Sequence, residues 1–386
     1  GKRPGSMPPD ARFLAEEGVV IPPTYLLRKG KIQWQAIHQR LTEAAYPSRS
    51  PNENLADINA ALASLRSGQQ ALQNLCRRFG RTKLHHYMAA LKELSAAYLK
   101  NTLRPYHGQV LKATERLDDG HQIVLSIRFE ADQIGFDFSG TSPVHPFNLN
   151  ANISIVYSAV LYVLRLLCQR EIPLNEGLMK HIRIVLPESS FLHPRFSDDP
   201  AKCPAVVGGN TEVSQRLVDT LLKAFGQVAC SQGTMNNFLF GNEQFGYYET
   251  IGGGAGAGND FHGRSAVHQH MTNTRITDPE ELEFRYPILL RQFAIRRDSG
   301  GGGRWRGGDG LIRELEFRQA MEMTLISQHR REAPYGAAGG RPGQKGKQFI
   351  IRQDGTREPL DGIATQTLSA GERLRIETPG GGGFGE

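Results

Sequence analysis

Leucine and isoleucine recur at steps of three, four or seven along Leu55, Ile58, Leu62, Leu65, Leu72 and Leu75, the period of an amphipathic helix, so one helix is expected from about Asn52 to Phe79. A second is expected from Thr82 to Leu103, stopped by Pro105. The two would lie antiparallel, cover each other's leucine stripes and serve as scaffold. From His121 the period falls to two. Ile123, Leu125 and Ile127 alternate with polar residues, Glu130–Asp132 turns the chain, and Ile134, Phe136 and Phe138 alternate again, which describes a β-hairpin. A loop rich in Ser, Thr, Asn and Pro then leads to an apolar helix, Ile153–Cys168, a strand at His181–Leu186 and an irregular stretch to Cys203. Gly208 and Gly209 precede Asn210 or Thr211 as N-cap of a helix ending near Phe225. Backbone donors at that N-terminus suit a carboxylate or other anion, and simple capping is an equal reading. Beyond Gly300 the chain is punctuated by glycine, with strands expected at Leu311–Phe317, Met321–Leu325, Phe349–Ile351 and Leu374–Ile376. The expected class is therefore α+β: a helical part over 1–120, a mixed, site-bearing centre over 121–300, and a β-rich antiparallel part over 301–386.

Composition sharpens this picture at a few points. The net charge of +7 is spread among alternating signs, with no basic arm carrying interleaved aromatics, so nucleic acid is not an expected partner. Four cysteines, Cys76, Cys168, Cys203 and Cys230, stand far apart without a C-x-x-C pair, which suits buried thiols in a reducing compartment. The longest apolar run, Ile153 to Cys168, carries Ser158, Tyr162 and Arg165 and is shorter than the ~20 residues a membrane span needs. A cytoplasmic protein is expected. The chain opens in a polar Pro/Gly turn without an initiator Met, and reads as a piece of something longer.

Candidate chemistry concentrates between Tyr248 and Pro287, where glycine and alanine fill 252–258 and His262, His268 and His270 follow amid amides, acids and arginines. Few aliphatic side chains are present to fill a core, so the segment reads as the wall of a site, with a polar loop as the plainer reading. Glycines there would let backbone N–H groups approach a ligand. On an extended backbone His268 and His270 would face one side, an arrangement suited to proton transfer or metal ligation. Standard nucleotide devices are missing: GGGAGAG does not fit G-x-G-x-x-G, Gly346-Lys347 lacks a P-loop frame, and H-E-x-x-H and G-x-S-x-G do not occur.

Longer blocks carry a resemblance. PGSMPPDARFLAEEG (4–18), FDFSGTSP (136–143), AVVGGNTEVSQRLVD (205–219), SQGTMNNFLFGN (231–242), HGRSAVHQHMTNTRITDPEELEFRYP (262–287), IRRDSGGGGRWRGGDGLIRELEF (295–317) and TPGGGGFG (378–385) together resemble the hydantoinase B/oxoprolinase family, most closely the C-terminal half of single-chain 5-oxoprolinases. The resemblance implies ATP-dependent opening of the lactam of 5-oxo-L-proline to L-glutamate, a step of glutathione metabolism. A hydantoinase or ketone-carboxylase subunit, or a catalytically silent assembly fragment, are the alternatives. It implies ATP bound by a hydantoinase A-like partner half that is not in this chain, and an oligomer. It also implies a divalent metal held through a His-His-Ala-Asp/Glu-type segment upstream of residue 1, so no metal ligand is assigned within the chain and the isolated chain is expected to be incomplete and inactive.

Within the matched blocks, His268 and His270 would handle protons, and Glu249 would orient one of them or act as base. Asn236 and Asn237, with backbone of the glycine run at Gly254 and Gly256, would donate to a developing oxyanion. Arg264 or Arg275 would pair with a substrate carboxylate, and Asn210 would bind substrate at its helix start. Glu16 and Glu17 are expected near the same cleft, and Asp278 caps the turn before Pro279. A Glu249–Arg275 ion pair is the structural alternative.

Overall fold

A computed structural model describes every residue from 1 to 386 except Ala131. The chain opens with a helical turn, α1 (Leu14–Glu17), a two-residue β-pair, β1 (Leu27–Arg28) with β2 (Lys31–Ile32), and α2 (Trp34–Thr42). Two long helices follow, α3 (Pro51–Phe79) and α4 (Arg81–Leu103), joined by Gly80 alone at φ 79°. Both lie where the leucine period puts them, yet the stripes do not cover each other. No residue of α3 is buried, Leu65 is 71% exposed, and α4 buries only Ser95, Ala96, Leu99 and Leu103 at its far end. The scaffold reading fails at the outer half of this helix pair, where Leu65, Leu72, Phe79, Tyr87 and Leu91 stay exposed among the described residues.

The first core lies between a sheet and two helices. Strands β3 (Val110–Arg116), β4 (Gln122–Phe129) and β5 (Ile134–Asp137) form an antiparallel meander, and β6 (Ile182–Val185) adds to β5 in parallel. Period-two alternation puts Ile123, Leu125, Ile127 and Phe129 on one face. There they meet Val156, Val160, Val163 and Leu164 of α5 (Ile153–Leu167), and Leu217, Val218 and Leu221 of α6 (Ser214–Phe225). Asn152 caps α5 by accepting the Ile155 N–H. Instead of the expected cap at Asn210 or Thr211, α6 is entered through a π-helical turn, Gly209–Val213, without a side-chain cap, and it closes on Gly226 in the left-handed conformation.

The second core is built from two sheets. β7 (Asn237–Gly241) and β8 (Gly246–Glu249) form a hairpin, and α7 (Pro279–Arg285), capped by Asp278, leads into β9 (Ile288–Arg296). Then come β10 (Gly310–Phe317), β11 (Met321–Ile326), β12 (Lys347–Ile351), β13 (Arg357–Leu360), β14 (Ile363–Leu368) and β15 (Arg373–Glu377). One sheet has the order β13-β12-β15-β10-β9, the other β14-β11-β7-β8, and all their pairs are antiparallel. Strands from either side of residue 300 thus share both sheets, so the β-rich part is continuous with the centre. The α+β class holds.

Glycine has a packing role here. The runs 252–258, 300–308 and 378–385 thread past one another: Gly254 N–H donates to Pro379, Ala255 N–H to Arg264, Ala257 N–H to Gly382, Gly301 N–H to Gly381, and Gly308 N–H to Ala255. A Cβ on Gly254 would lie 2.0 Å from the Gly308 oxygen, and one on Gly256 1.9 Å from the Ala229 oxygen. Only glycine lets backbones come this close.

Candidate functional site

Helix α6 is buried along most of its length, yet with the π-helical turn before it the helix carries a polar row at Glu212, Gln215, Arg216 and Asp219, the spacing of one helical face. Asp219 is the centre of the site. Its carboxylate accepts the N–H and the hydroxyl of Ser231, both at 3.0 Å, and His270 Nε2 lies 3.6 Å away. On the other side of the ring, His270 Nδ1 lies 3.3 Å from the Tyr162 hydroxyl of α5. Burial alone would push the Asp219 carboxyl up, but His270, the Ser231 N–H and Arg216 outweigh it and hold it below its ordinary value. The His270 side chain keeps 12% of its surface open. A fixed carboxylate behind a partly open imidazole is the arrangement of a general acid–base pair.

A second imidazole sits behind the first group. Arg216 Nη1 donates to His329 Nε2 at 2.6 Å, while His329 Nδ1 faces the Glu332 carbonyl at 2.8 Å. These partners fix the tautomer with the proton on Nδ1. Burial, then the Arg216 charge, push His329 well below its ordinary pKa, so it is neutral. Cys230 Sγ lies 3.5 Å from the same Nε2, and burial pushes its thiol up, which leaves it an unreactive thiol at neutral pH. Gly233, at φ 61°, packs its α-carbon against His329 and Asp219, where a Cβ would lie 2.5 Å from the ring. Asn236, His270 and His329 all take left-handed φ values (47°, 55° and 58°), and such backbone strain gathers at functional sites.

The expected residues separate into those the fold brings here and those it does not. His270 is in the centre. His268 is half-buried with an unpartnered Nδ1, and burial lowers its pKa. The extended backbone on which both rings were expected to face one side is not formed, because the segment is not a strand and His270 is left-handed. Glu249 is not free to orient a histidine or act as base: Arg313 Nε and Nη2 hold it at 2.7 and 3.0 Å inside the second core, and Tyr247 donates to it at 2.9 Å. Its ion-pair partner is thus Arg313, not Arg275. Asn237 is spent as well, donating to Glu212 and the Ile326 carbonyl and accepting from Tyr248. Asn236 donates to Gln232 and the Ile251 carbonyl and keeps a buried, unpartnered Oδ1, an acceptor and so no oxyanion donor. Gly254 and Gly256 belong to the glycine packing, so they face backbone and no ligand. Arg264, Arg275 and Asn210 are exposed, and neither arginine is in an ion pair among the described residues.

Glu16 caps the backbone at Arg12 and Phe13, and Glu17 accepts the Val206 and Val207 N–H groups; burial pushes Glu17 to about 7. Glu17, Arg49 and Tyr248 line a cleft of about 640 Å³ beside Gly1. The sequence reading missed Asp219, Ser231, Tyr162, Arg216 and His329. The polar row on α6 was the available signal, and it resembles an ordinary solvent-facing stripe.

Asp119, His121 and His145 converge closely enough to raise the question of a metal. Asp119 Oδ2 lies 2.9 Å from His121 Nδ1 and 2.7 Å from His145 Nε2. Those are hydrogen-bond separations, shorter than the roughly 3.3 Å edge of a tetrahedron with 2.0–2.1 Å metal–nitrogen bonds. His145 Nδ1 accepts the Phe147 N–H at 3.0 Å, so the neutral ring keeps its proton on Nε2, the atom a metal would need. The group as arranged does not fit a metal. Burial opposes the Asp119 charge, but the two imidazoles hold its carboxyl at about 2.

Comparison with known proteins agrees with the blocks in the sequence. The model of the Hydantoinase B/oxoprolinase family matches residues 1–386. The chain is 40% identical to 5-oxoprolinase 1 of Arabidopsis thaliana, over all of this chain and 32% of that protein. It is 25% identical to a putative D-/L-hydantoinase subunit of a Pseudomonas strain, over 87% of this chain and 60% of that one. An ATP-dependent caprolactamase from Pseudomonas jessenii superposes with a TM-score of 0.84 at 24% identity, over the whole chain and 69% of the caprolactamase chain, which shows a shared fold. The chain spans about a third of the length of the 5-oxoprolinase it matches.

Proposed function

This chain belongs to the hydantoinase B/oxoprolinase family, and on that premise we propose that it is the hydrolytic portion of an ATP-dependent 5-oxoprolinase, opening 5-oxo-L-proline to L-glutamate. The observation that carries the substrate is the step in similarity: 40% identity to a 5-oxoprolinase against 25% to a hydantoinase subunit. Because the chain spans only a third of that relative, we assign ATP binding to a hydantoinase A-like portion that acts with it. ATP would supply a phosphoryl group to the lactam oxygen, turning an unreactive amide into one that water can attack.

This chain's residues then handle the proton. His270 Nδ1 takes a proton from the attacking water through the Tyr162 hydroxyl, which passes its own proton to the ring as it accepts the water's, and Asp219, fixed by Ser231, steadies the resulting imidazolium at Nε2. Tyr162 keeps the ring in place through Nδ1. His270 later returns the proton to the ring nitrogen as the C–N bond breaks, which leaves a γ-glutamyl phosphate that a second water hydrolyses to glutamate and inorganic phosphate. His268, beside this group in sequence, and the exposed Arg264 or Arg275 are candidates for meeting the substrate carboxylate.

The test is glutamate formation from 5-oxo-L-proline and ATP by this chain mixed with an ATP-binding portion, with hydantoin as the competing substrate. Glutamate formed by the mixture, and lost at least a hundredfold in His270→Ala with an unchanged melting temperature, is the expected result. Ring opening of hydantoin alone would overturn the substrate. Full activity in His270→Ala would overturn its role.

A further inference from the structure

Where β12 begins, the chain builds a basic pocket that the proposed proton chemistry does not use. A cavity of about 490 Å³ is lined by Arg296, Arg330, Lys345 and Lys347, and among the described residues no carboxylate lines it. Arg330 is held in a fixed pose: its Nε donates to Gln348 Oε1 at 2.9 Å and its Nη1 to the Gln328 carbonyl at 2.7 Å. Gly346 lies against the guanidinium, where a Cβ would come within 2.6 Å of Cζ. The remaining nitrogen, Nη2, has no hydrogen-bond partner, and Arg330 enters no ion pair among the described residues. Asp118, in the same loop contact, is taken up by the backbone N–H groups of Arg330, Arg331 and Glu332. Burial pushes the Arg330 pKa down to about 10 against the distant pull of Asp118 and Glu212, as expected of a guanidinium with no anion in contact.

The other cations leave the pocket short of negative charge. Buried Arg296 spends its Nη donors on the Lys345 and Thr378 carbonyls and on Gln344, and its Nε meets Glu377 at 3.3 Å. Glu377 is shared with Lys347, at 3.4 Å, and with Arg375, at 2.9 Å. Lys345 is exposed and enters no ion pair among the described residues. Four positive charges thus line the pocket with one carboxylate in contact with them. A phosphate carries close to two negative charges at neutral pH and accepts hydrogen bonds on every side, which suits such a wall better than a single carboxylate does. We propose that this pocket binds a phosphate group, met by Arg330 Nη2 and the Lys345 and Lys347 ammonium groups, with Arg296 as fixed positive charge behind them. Its wall is continuous with the loop of the candidate site, since Gly346 N–H donates to the His329 carbonyl at 2.9 Å. A phosphate seated there ties the start of β12 to the loop that carries His329. Free inorganic phosphate and the phosphates of a nucleotide share this chemistry, and binding itself does not depend on the reaction proposed above.

Isothermal titration calorimetry of the full chain with sodium phosphate and with ADP, against sodium chloride at matched ionic strength, tests this. Saturable binding of phosphate, absent with chloride, is the expected result. Lys345→Gln with Lys347→Gln should weaken it at least tenfold and leave the melting temperature within a few degrees, since both side chains are exposed. Arg330→Gln should abolish binding, and the lysine variant keeps the test independent of whether that buried change folds. In wild type, phosphate should also slow hydrogen exchange at the Arg330 and Gly346 amides, and it should not do so in the lysine variant. Phosphate and ADP competing with similar affinity would make free phosphate the occupant, whereas ADP binding more than tenfold tighter would make it a nucleotide. No saturable binding up to about 10 mM phosphate, equal heats from chloride, or affinity indifferent to the lysine changes would each overturn the proposal.

Discussion

At the residue scale, two buried carboxylates make opposite demands. Burial pushes the Glu249 carboxyl up and Arg313 opposes that shift, with both side chains essentially without solvent, so removing the arginine leaves an unpaired acid in the second core. Arg313→Met is expected to cost about 3–5 kcal/mol, whereas the double change Glu249→Leu with Arg313→Met should cost much less, because no charge is left behind. Urea titrations of both variants would show this, and equal losses would mean that the pair is not the source of the effect. Glu212 has no cationic partner in contact. Met235 N–H and Asn237 meet one of its oxygens, the other has no partner, and burial pushes its pKa up to about 8. Between roughly pH 4.3, where a free glutamate titrates, and about 8, the folded chain therefore holds a proton that the unfolded chain has released. Stability falls as pH rises through that window, by at most about 1.4 kcal/mol per unit, and levels off above it. Glu212→Gln keeps an acceptor for Met235 and Asn237 and should flatten the decline. Parallel melting curves for variant and wild type from pH 5 to 8 would refute the assignment.

At the scale of elements, the sequence was readable where one side of an element faces water. The hairpin β4–β5 follows from strict alternation, and α3, α4 and α5 from helical period, each within a residue or two of its observed ends. β7 is buried on both faces, so FLF carries no alternation that separates it from a helix or a loop. The same lack of a wet side hid the site: the polar row of α6 faces inward, and its partners His270, Ser231 and His329 come from segments whose approach no local pattern encodes. The glycine run at 252–258 was misread for a related reason, since permissive backbone serves close packing as readily as ligand binding. Gly254→Ala and Gly256→Ala test the packing reading. Each methyl would sit about 2 Å from a backbone oxygen, so each variant should lose more than the ~1 kcal/mol expected of a solvent-exposed change and accumulate as insoluble protein. Normal melting with reduced substrate affinity would restore the ligand reading.

At the scale of the whole molecule, the two hydrophobic cores are separate clusters, and polar contacts span the seam between them. The candidate site belongs to that seam, since Asp219 and Tyr162 come from the first core's helices, and His329 follows β11 of the second. A neighbouring contact fixes how the cores meet. Asp118, in the turn between β3 and β4, accepts the N–H groups of Arg330, Arg331 and Glu332 at 2.7, 3.2 and 3.2 Å, and its own N–H donates to Gln328. The loop so held contains His329 and the Glu332 carbonyl that sets its tautomer. Asp118→Ala leaves three backbone donors without their acceptor, at a cost of about 1–3 kcal/mol, while both cores keep all their apolar contacts. Hydrogen exchange at the amides of Arg330, Arg331 and Glu332 should then quicken tenfold or more, with the amides of β4 and β10 protected as before. With His329 no longer held, Arg216 loses its fixed acceptor beside Asp219, so turnover of the complemented enzyme should fall although Asp118 touches none of the reacting groups. Uniformly faster exchange across both sheets would show instead that the clip supports global stability, and unchanged exchange at Arg330–Glu332 would show that the loop is held by something other than Asp118.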